Sequence, residues 1–186
     1  MNHNFLILPL LLLFIWTSCD DNHHIRHYQI EKEGAPEIFV QQASAPSNLN
    51  WTTPSNWIPS KGSSMRIGSF DVPYSDGKGD LSVIKLGGTA GGLAPNINRW
   101  RGQLNLDPHS EIEIQKYIQS GKSPLGQFQW LTIINPENKE TAFLTSIFQT
   151  ETHTIFVKLS ATSDGIAQLE SQFLDFCKSF KINLTP

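Results

Sequence analysis

The fold of this chain is decided by residues 154–180, TIFVKLSATSDGIAQLESQFLDFCKSF, where one spacing of apolar residues gives way to another. In the first part Ile155, Val157 and Leu159 alternate with other residues, which is the period of a β-strand. In the second part the apolar residues recur every three or four positions, which is the period of an amphipathic helix. That stripe consists of Ile166, Leu169, Phe173, Phe176 and Phe180. The stretch therefore predicts a strand followed by a helix whose apolar face has to be buried.

Two further β-rich runs precede this strand, at residues 128–134 and 141–149. The links between the three runs are short, whereas parallel pairing needs a crossover of about a dozen residues or more. The three strands are therefore predicted to form an antiparallel meander.

Apolar side chains occupy both faces of the middle run. Ala142, Leu144 and Phe148 point to one face, and Phe143 and Ile147 point to the other. A sheet that is apolar on both sides needs cover on both sides. The fold class predicted from these patterns is α+β, an antiparallel β-sheet with helices packed on both faces.

The first half of the chain supplies further strands. Residues 65–70 and 81–86 are predicted to form a hairpin around the turn-rich residues 76–79. Residues 37–40 are predicted to form the first strand.

Two more helices are predicted before the meander. Ile97, Trp100 and Leu104 mark one of them, with Asn96 as its N-cap. Ser110 and the glutamate three residues later form a capping box for another, which is predicted to continue to residue 118. The alternation of residues 111–114 leaves a strand open as the alternative there.

The N-terminal stretch predicts export. Residues 5–16 are apolar or nearly so, and as a helix they would span roughly 18 Å, short of the ~30 Å of a bilayer core. They suit a signal peptide, and Thr17, Ser18 and Cys19 resemble the bacterial lipoprotein signal, in which the cysteine receives diacylglycerol before cleavage. The resemblance implies a signal peptide at 1–18, a lipidated Cys19 with a flexible tether at 19–36, and one globular domain at 37–186.

This organisation places the protein on the bacterial cell membrane, facing the periplasm or the exterior, with its acyl chains as the membrane contact. Ordinary secretion is the alternative. In that case Cys19 could form a disulfide with Cys177, since these are the only two cysteines. Cys177 lies beside the apolar stripe of the last helix and is predicted to be a packed thiol.

The net charge and the spacing of the histidines exclude two classes of function, nucleic-acid binding and metal binding. The chain has 14 basic and 17 acidic residues and a net charge of −3, without the basic excess that nucleic-acid binding requires. His23, His24 and His27 lie in the predicted tether, where no cysteine or carboxylate stands at a spacing that completes a metal site. We therefore expect no nucleic-acid partner, no metal and no cofactor.

The strand and helix that end the chain resemble the end of the PsbP-like fold. Other short motifs resemble a group of exported bacterial proteins, and they lie at residues 51–57, 65–70, 87–92 and 96–104. The resemblance covers residues 37–182 and implies an α/β/α sandwich. Members of this fold act mostly by binding partners, so the resemblance implies no catalytic residues.

The candidate ligand site is the glycine-rich loop from Gly87 to Gly92 with the helix that follows it. Glycines and a helix N-terminus expose backbone N–H groups that suit a phosphate or a carboxylate. The polar rim of this site would consist of Asn96, Asn98, Arg99 and Arg101. The alternative is that the glycines serve only to turn the chain sharply.

Trp51 and Trp57 are a second candidate, as an aromatic platform, and the alternative is that they seal one end of the core.

The serines and threonines between Trp51 and Ser69 include no G-x-S-x-G, and His109 and His153 have no acid or nucleophile at a suggestive spacing. We therefore expect a non-enzymatic accessory module that binds an envelope protein. The alternative is a lipoprotein that binds a small molecule or anion at the glycine-rich loop.

Overall fold

A computed structural model describes residues 49–183. The signal peptide, Cys19, the tether and the strand predicted at 37–40 lie outside the described residues. In chain order the elements are β1 Leu49–Asn50, β2 Ile58–Pro59, β3 Arg66–Tyr74, β4 Gly77–Gly87, α1 Leu93–Gln103, α2 Glu111–Gln115, β5 Gln119–Ser123, β6 Gly126–Asn135, β7 Asn138–Gln149, β8 His153–Ala161, α3 Ser163–Lys178 and β9 Lys181–Ile182.

Seven of these strands form one antiparallel sheet in the order β2-β3-β4-β8-β7-β6-β5, and β1 pairs with β9 separately. The predicted meander is confirmed as β6, β7 and β8, and the predicted hairpin as β3 and β4. The hairpin turn is tighter than predicted, because only Ser75 and Asp76 lie between the strands. β4 joins the meander by pairing with β8, with Leu81 opposite Leu159.

Helices cover both faces of this sheet, as predicted. On one face α3 buries Phe173 and Phe176 against Leu144 and Val157 of the sheet, and Phe180, just after the helix, belongs to the same core. Each such side chain contributes about 1.5–3 kcal/mol by leaving water. The alternation predicted for β7 is confirmed, because Ala142, Leu144 and Phe148 belong to this core.

The opposite face carries a second core under α1 and α2. Ile97 and Trp100 of α1 pack on Phe143, Ile147 and Phe156, the side chains that point away from α3. Trp100 meets Phe156 edge to face, with ring centroids 5.8 Å apart. The α+β class with an antiparallel sheet between helices is therefore confirmed.

The start of α1 differs from the prediction that Asn96 is its N-cap. The helix begins at Leu93, with Gly92 as the cap at φ 87°. Gly91 also has a positive φ, of 83°, so the chain turns into the helix four residues earlier than predicted. Pro95 is tolerated there because the first N–H groups of a helix have no partner within it.

The capping box of α2 is confirmed, since the Ser110 side chain accepts from the Glu113 backbone N–H and the Glu113 side chain accepts in return. The helix ends at Gln115, earlier than predicted, and the chain then forms β5, a strand that the sequence did not predict. Within residues 49–183, no helix is long and apolar enough to cross a membrane.

Candidate functional site

The two tryptophans pack against α3. Trp57 is 5% exposed, and its indole N–H donates to Gln172 Oε1 at 2.7 Å. Trp51 is half-buried and stacks on Phe180, with ring centroids 5.3 Å apart. These contacts correct the platform hypothesis, because Trp57 belongs to the core and Trp51 uses a ring face within the fold.

The glycine-rich loop does not gather the predicted polar rim around it. The Asn96 amide is buried and donates to the backbone carbonyls of Ala90 and Gly92, at 2.9 and 2.6 Å. The depression beside the start of α1 is lined by Gly91, Gly92 and also Glu111. A carboxylate at this position repels an anion, and the Asn96 side chain serves to hold the turn closed.

Asn98, Arg99 and Arg101 lie in different surroundings. Asn98 exchanges two hydrogen bonds of 2.9 Å with the backbone of His109, so it fixes the segment that leads into α2. Arg99 is exposed. Of the six predicted ligand residues, Arg101 alone lines the open cavity between α1, α2 and β6.

This cavity, here called the α1–α2 groove, is half-open and has a volume of about 390 Å³. Its floor is apolar and its mouth is polar. The floor consists of Ile97, Leu106, Ile114, Leu131 and Ile133, the mouth of Arg101, His109 and Tyr117, and the side along β6 of Thr132, Ile134 and Pro136. A small apolar cavity with a few polar groups at its mouth has the composition of a binding site.

The Arg101 guanidinium is held in one orientation at the mouth. Its Nε donates to the backbone carbonyl of Asp107 at 2.8 Å. The two terminal nitrogens have no hydrogen-bond partner among the described residues, and the ion pairs of that part of the chain involve other side chains. An arginine with free terminal nitrogens can bind a carboxylate through two parallel hydrogen bonds.

His109 and Tyr117 form the aromatic part of the mouth. Their rings stack with centroids 5.8 Å apart and an interplanar angle of 28°. Tyr117 is 58% exposed, although it lies beside an apolar floor. A large aromatic residue exposed at a cavity is a typical anchor of a protein interface.

The helix α2, which lies between His109 and Tyr117 of the mouth, begins with a complete capping box. The Glu113 carboxylate accepts hydrogen bonds from the Ser110 backbone N–H at 2.8 Å and from its hydroxyl at 2.7 Å. These bonds lower the pKa of Glu113, so the group stays ionised and occupied by the cap. The cap therefore fixes the start of α2, directly after His109 of the mouth.

Other reactive side chains are enclosed or dispersed. Cys177 is fully buried, and desolvation raises the pKa of its thiol, so it is a packed residue as predicted. Within residues 49–183, no three His, Cys, Asp or Glu side chains are grouped to hold a metal ion.

Sequence reasoning missed most of the groove, because its residues come from α1, the loop after it, the segment after α2 and β6. Leu106, Tyr117 and Ile134 have no common spacing that would have connected them. The available signal was Arg101 one helical turn after Ile97, on the same side of α1.

No family model and no curated protein matches this chain. Solved structures resemble it at low identity. A crystal structure of a protein from Bacteroides thetaiotaomicron VPI-5482 has a TM-score of 0.47 and 12% identity over 76% of this chain, and this chain spans only 47% of that protein's length. LpqN, involved in cell envelope biogenesis of Mycobacterium tuberculosis, has a TM-score of 0.40 and 12% identity over 73% of this chain and 83% of its own. The cyanobacterial PsbP (CyanoP) from Synechocystis sp. PCC 6803 has a TM-score of 0.44 and 18% identity over 76% of this chain and 96% of its own, a likeness of fold alone.

Proposed function

We propose that this chain is a lipid-anchored protein of the bacterial cell envelope that acts without catalysis, as an accessory module that binds another envelope protein. The proposed anchor is Cys19, which follows the predicted signal peptide. The binding surface is the α1–α2 groove.

The observation that carries this proposal is the fixed guanidinium of Arg101 at the mouth of an apolar groove. Arginine and tyrosine are the residues on which protein interfaces concentrate binding energy, and both stand here beside an apolar pocket. Ile134, which is 41% exposed, adds apolar surface next to them. The surface therefore has an apolar centre and a polar margin, as protein interfaces do.

The alternative, a small anion at the glycine-rich loop, has weaker support. The Asn96 amide is already bonded to loop carbonyls, and Glu111 brings a negative charge to the depression there. The turn into α1 accounts for Gly91 and Gly92, which both have a positive φ.

The experiment is site-specific photocrosslinking in living cells of the native bacterium. A photoreactive amino acid replaces Tyr117 in the full chain, and the matched control carries it at Ile58, which is 57% exposed on the strand at the other end of the sheet order. We expect one discrete protein adduct from position 117, none from position 58, and loss of that adduct when Arg101→Glu is added.

Circular dichroism and thermal unfolding of the Arg101→Glu variant control for folding. The proposal is wrong if both positions give the same adducts, or if a well-folded Arg101→Glu variant is captured as efficiently as the wild type.

A further inference from the structure

One edge of β6 is open beside the groove. β5 pairs with β6 only from Ser123–Gly126 to Gln119–Trp130, whereas β6 continues to Asn135. On the β5 side of β6, residues 131–135 have no strand partner within the described part of the chain. On the other side they pair with β7. The last five residues of β6, 131–135, therefore form a sheet edge, although β6 is an inner strand for the rest of its length.

The groove follows this edge. Four successive residues, 131–134, line it. Successive side chains of a strand point to opposite faces of the sheet, so a space that touches all four lies along the edge of the strand. In an extended strand alternate residues direct their backbone N–H and C=O groups to the same side, so two of these four direct theirs into the groove.

The groove presents a positive charge at its mouth and an apolar surface along β6. Arg101 offers two free terminal nitrogens at the mouth, and Leu131 and Ile133 are buried toward the same α1–α2 face. An occupant that suits both features has backbone donors and acceptors, an apolar side chain and a carboxylate.

We propose that the groove binds an extended peptide segment of the partner protein, which adds to β6 as a strand and places an acidic side chain on Arg101. This inference rests on the proposed function and names the chemistry of the partner. Main-chain hydrogen bonds to residues 131–134 provide affinity, and the Arg101 contact selects the sequence. The available edge is about 13 Å long, since a strand rises about 3.3 Å per residue, so roughly four peptide residues are recognised.

A peptide fits this surface better than an acyl chain does. An acyl chain would cover the edge without pairing its N–H and C=O groups, and an unpaired backbone group that loses water costs free energy. A peptide strand pairs those groups and presents alternate side chains to the two sides of the edge, toward Leu106 and Ile114 on one side and Ile134 on the other.

The test is an NMR titration of residues 19–186 carrying Cys19→Ser. The probes are a blocked hexapeptide of alternating Thr and Val with one central Asp, the same peptide with Lys in place of Asp, and sodium dodecanoate. We expect the Asp peptide to shift the amide resonances of residues 131–134 and to bind about tenfold more tightly than the Lys peptide, because of the charge-assisted pair with Arg101. Arg101→Glu should reverse this order.

Backbone N-methylation distinguishes strand addition from side-chain contact. Methylating the amides along one edge of the peptide should abolish binding, and methylating those along the other edge should leave it unchanged. The inference is overturned if both methylated peptides bind equally, if Asp and Lys peptides bind equally, or if only dodecanoate shifts these resonances. In those cases an Arg101-dependent adduct at Tyr117 still supports the proposed function, whereas loss of that adduct as well rejects both.

Discussion

One ion pair stabilises the β3–β4 hairpin, in the half of the sheet that lies away from β5. Arg66 binds Asp80 across the β3–β4 hairpin through two parallel hydrogen bonds, Nη1 to Oδ1 and Nη2 to Oδ2, each 2.7 Å long. The hydrogen bonds from Arg66 lower the pKa of Asp80 below its ordinary value. A carboxylate whose pKa is lower in the folded state stabilises the fold above its unfolded pKa, and this stabilisation is lost as the pH falls through the folded pKa.

We therefore predict that Asp80→Asn lowers the free energy of unfolding by about 0.5 kcal/mol at neutral pH, because the pair is partly exposed. The difference from wild type should shrink below about pH 4, where the Asp80 carboxylate begins to protonate in the unfolded chain, and it should vanish once the pH has fallen below the lowered pKa of Asp80 in the folded state. Urea unfolding at several pH values measures this. Asp175→Asn is the matched control, since its i,i+3 pair with Lys178 is more exposed and should contribute less. A difference that is constant with pH would contradict the argument.

For single residues, the sequence predicted burial better than it predicted function. The prediction that Cys177 is packed is confirmed, whereas Arg101, predicted to belong to the polar rim of the glycine-rich loop, lines the α1–α2 groove. Asn96 is predicted as the N-cap because asparagine is a favoured N-cap residue, but the positive φ of Gly92 lets the helix begin earlier. The role of Arg101 depends on Asp107 and on β6, which no local pattern connects to it.

Among the elements, β5 is the strand that positions the open edge of β6, and its packing depends on one glycine. A Cβ atom at Gly121 would lie 2.2 Å from the ring of Phe128, its cross-strand partner, which is fully buried. We predict that Gly121→Ala destabilises the domain by about 1–3 kcal/mol, because the ring or the strand has to move.

Gly102→Ala is the control for this substitution. A Cβ atom there meets nothing within 4 Å, and the residue lies in α1, so the change should stabilise the domain by up to about 1 kcal/mol. Thermal unfolding of the two variants measures both effects. Equal stability of Gly121→Ala and wild type would show that β5 is not packed as described.

The sequence of β5 shows why this strand was not predicted. Residues 119–123 read QSGKS, without apolar alternation or β-branched residues, because this strand pairs on one side only and is largely exposed. The meander and α3 were predictable because their faces are buried and their apolar periods are complete. The open edge of β6 follows from where β5 begins, at Gln119 opposite Trp130, which the sequence of β6 does not encode.

For the whole molecule, the proposed anchor makes a direct prediction. Metabolic labelling with a fatty acid should label the wild-type chain and leave Cys19→Ser unlabelled and released from the membrane fraction. Cys177 controls for acylation at other thiols, since it is buried and should take up no label. An unmodified Cys19, or one bridged to Cys177, would instead support ordinary secretion.

The account as a whole depends on the α1–α2 groove being the surface that binds the partner. Amide hydrogen exchange of the mature chain, free and bound to the protein captured at Tyr117, tests this most directly. We predict slower exchange on binding at residues 106–118 and 131–136, and unchanged exchange at residues 51–57 and in α3. Protection confined to the α3 side, with the groove exchanging as in the free protein, would contradict the account.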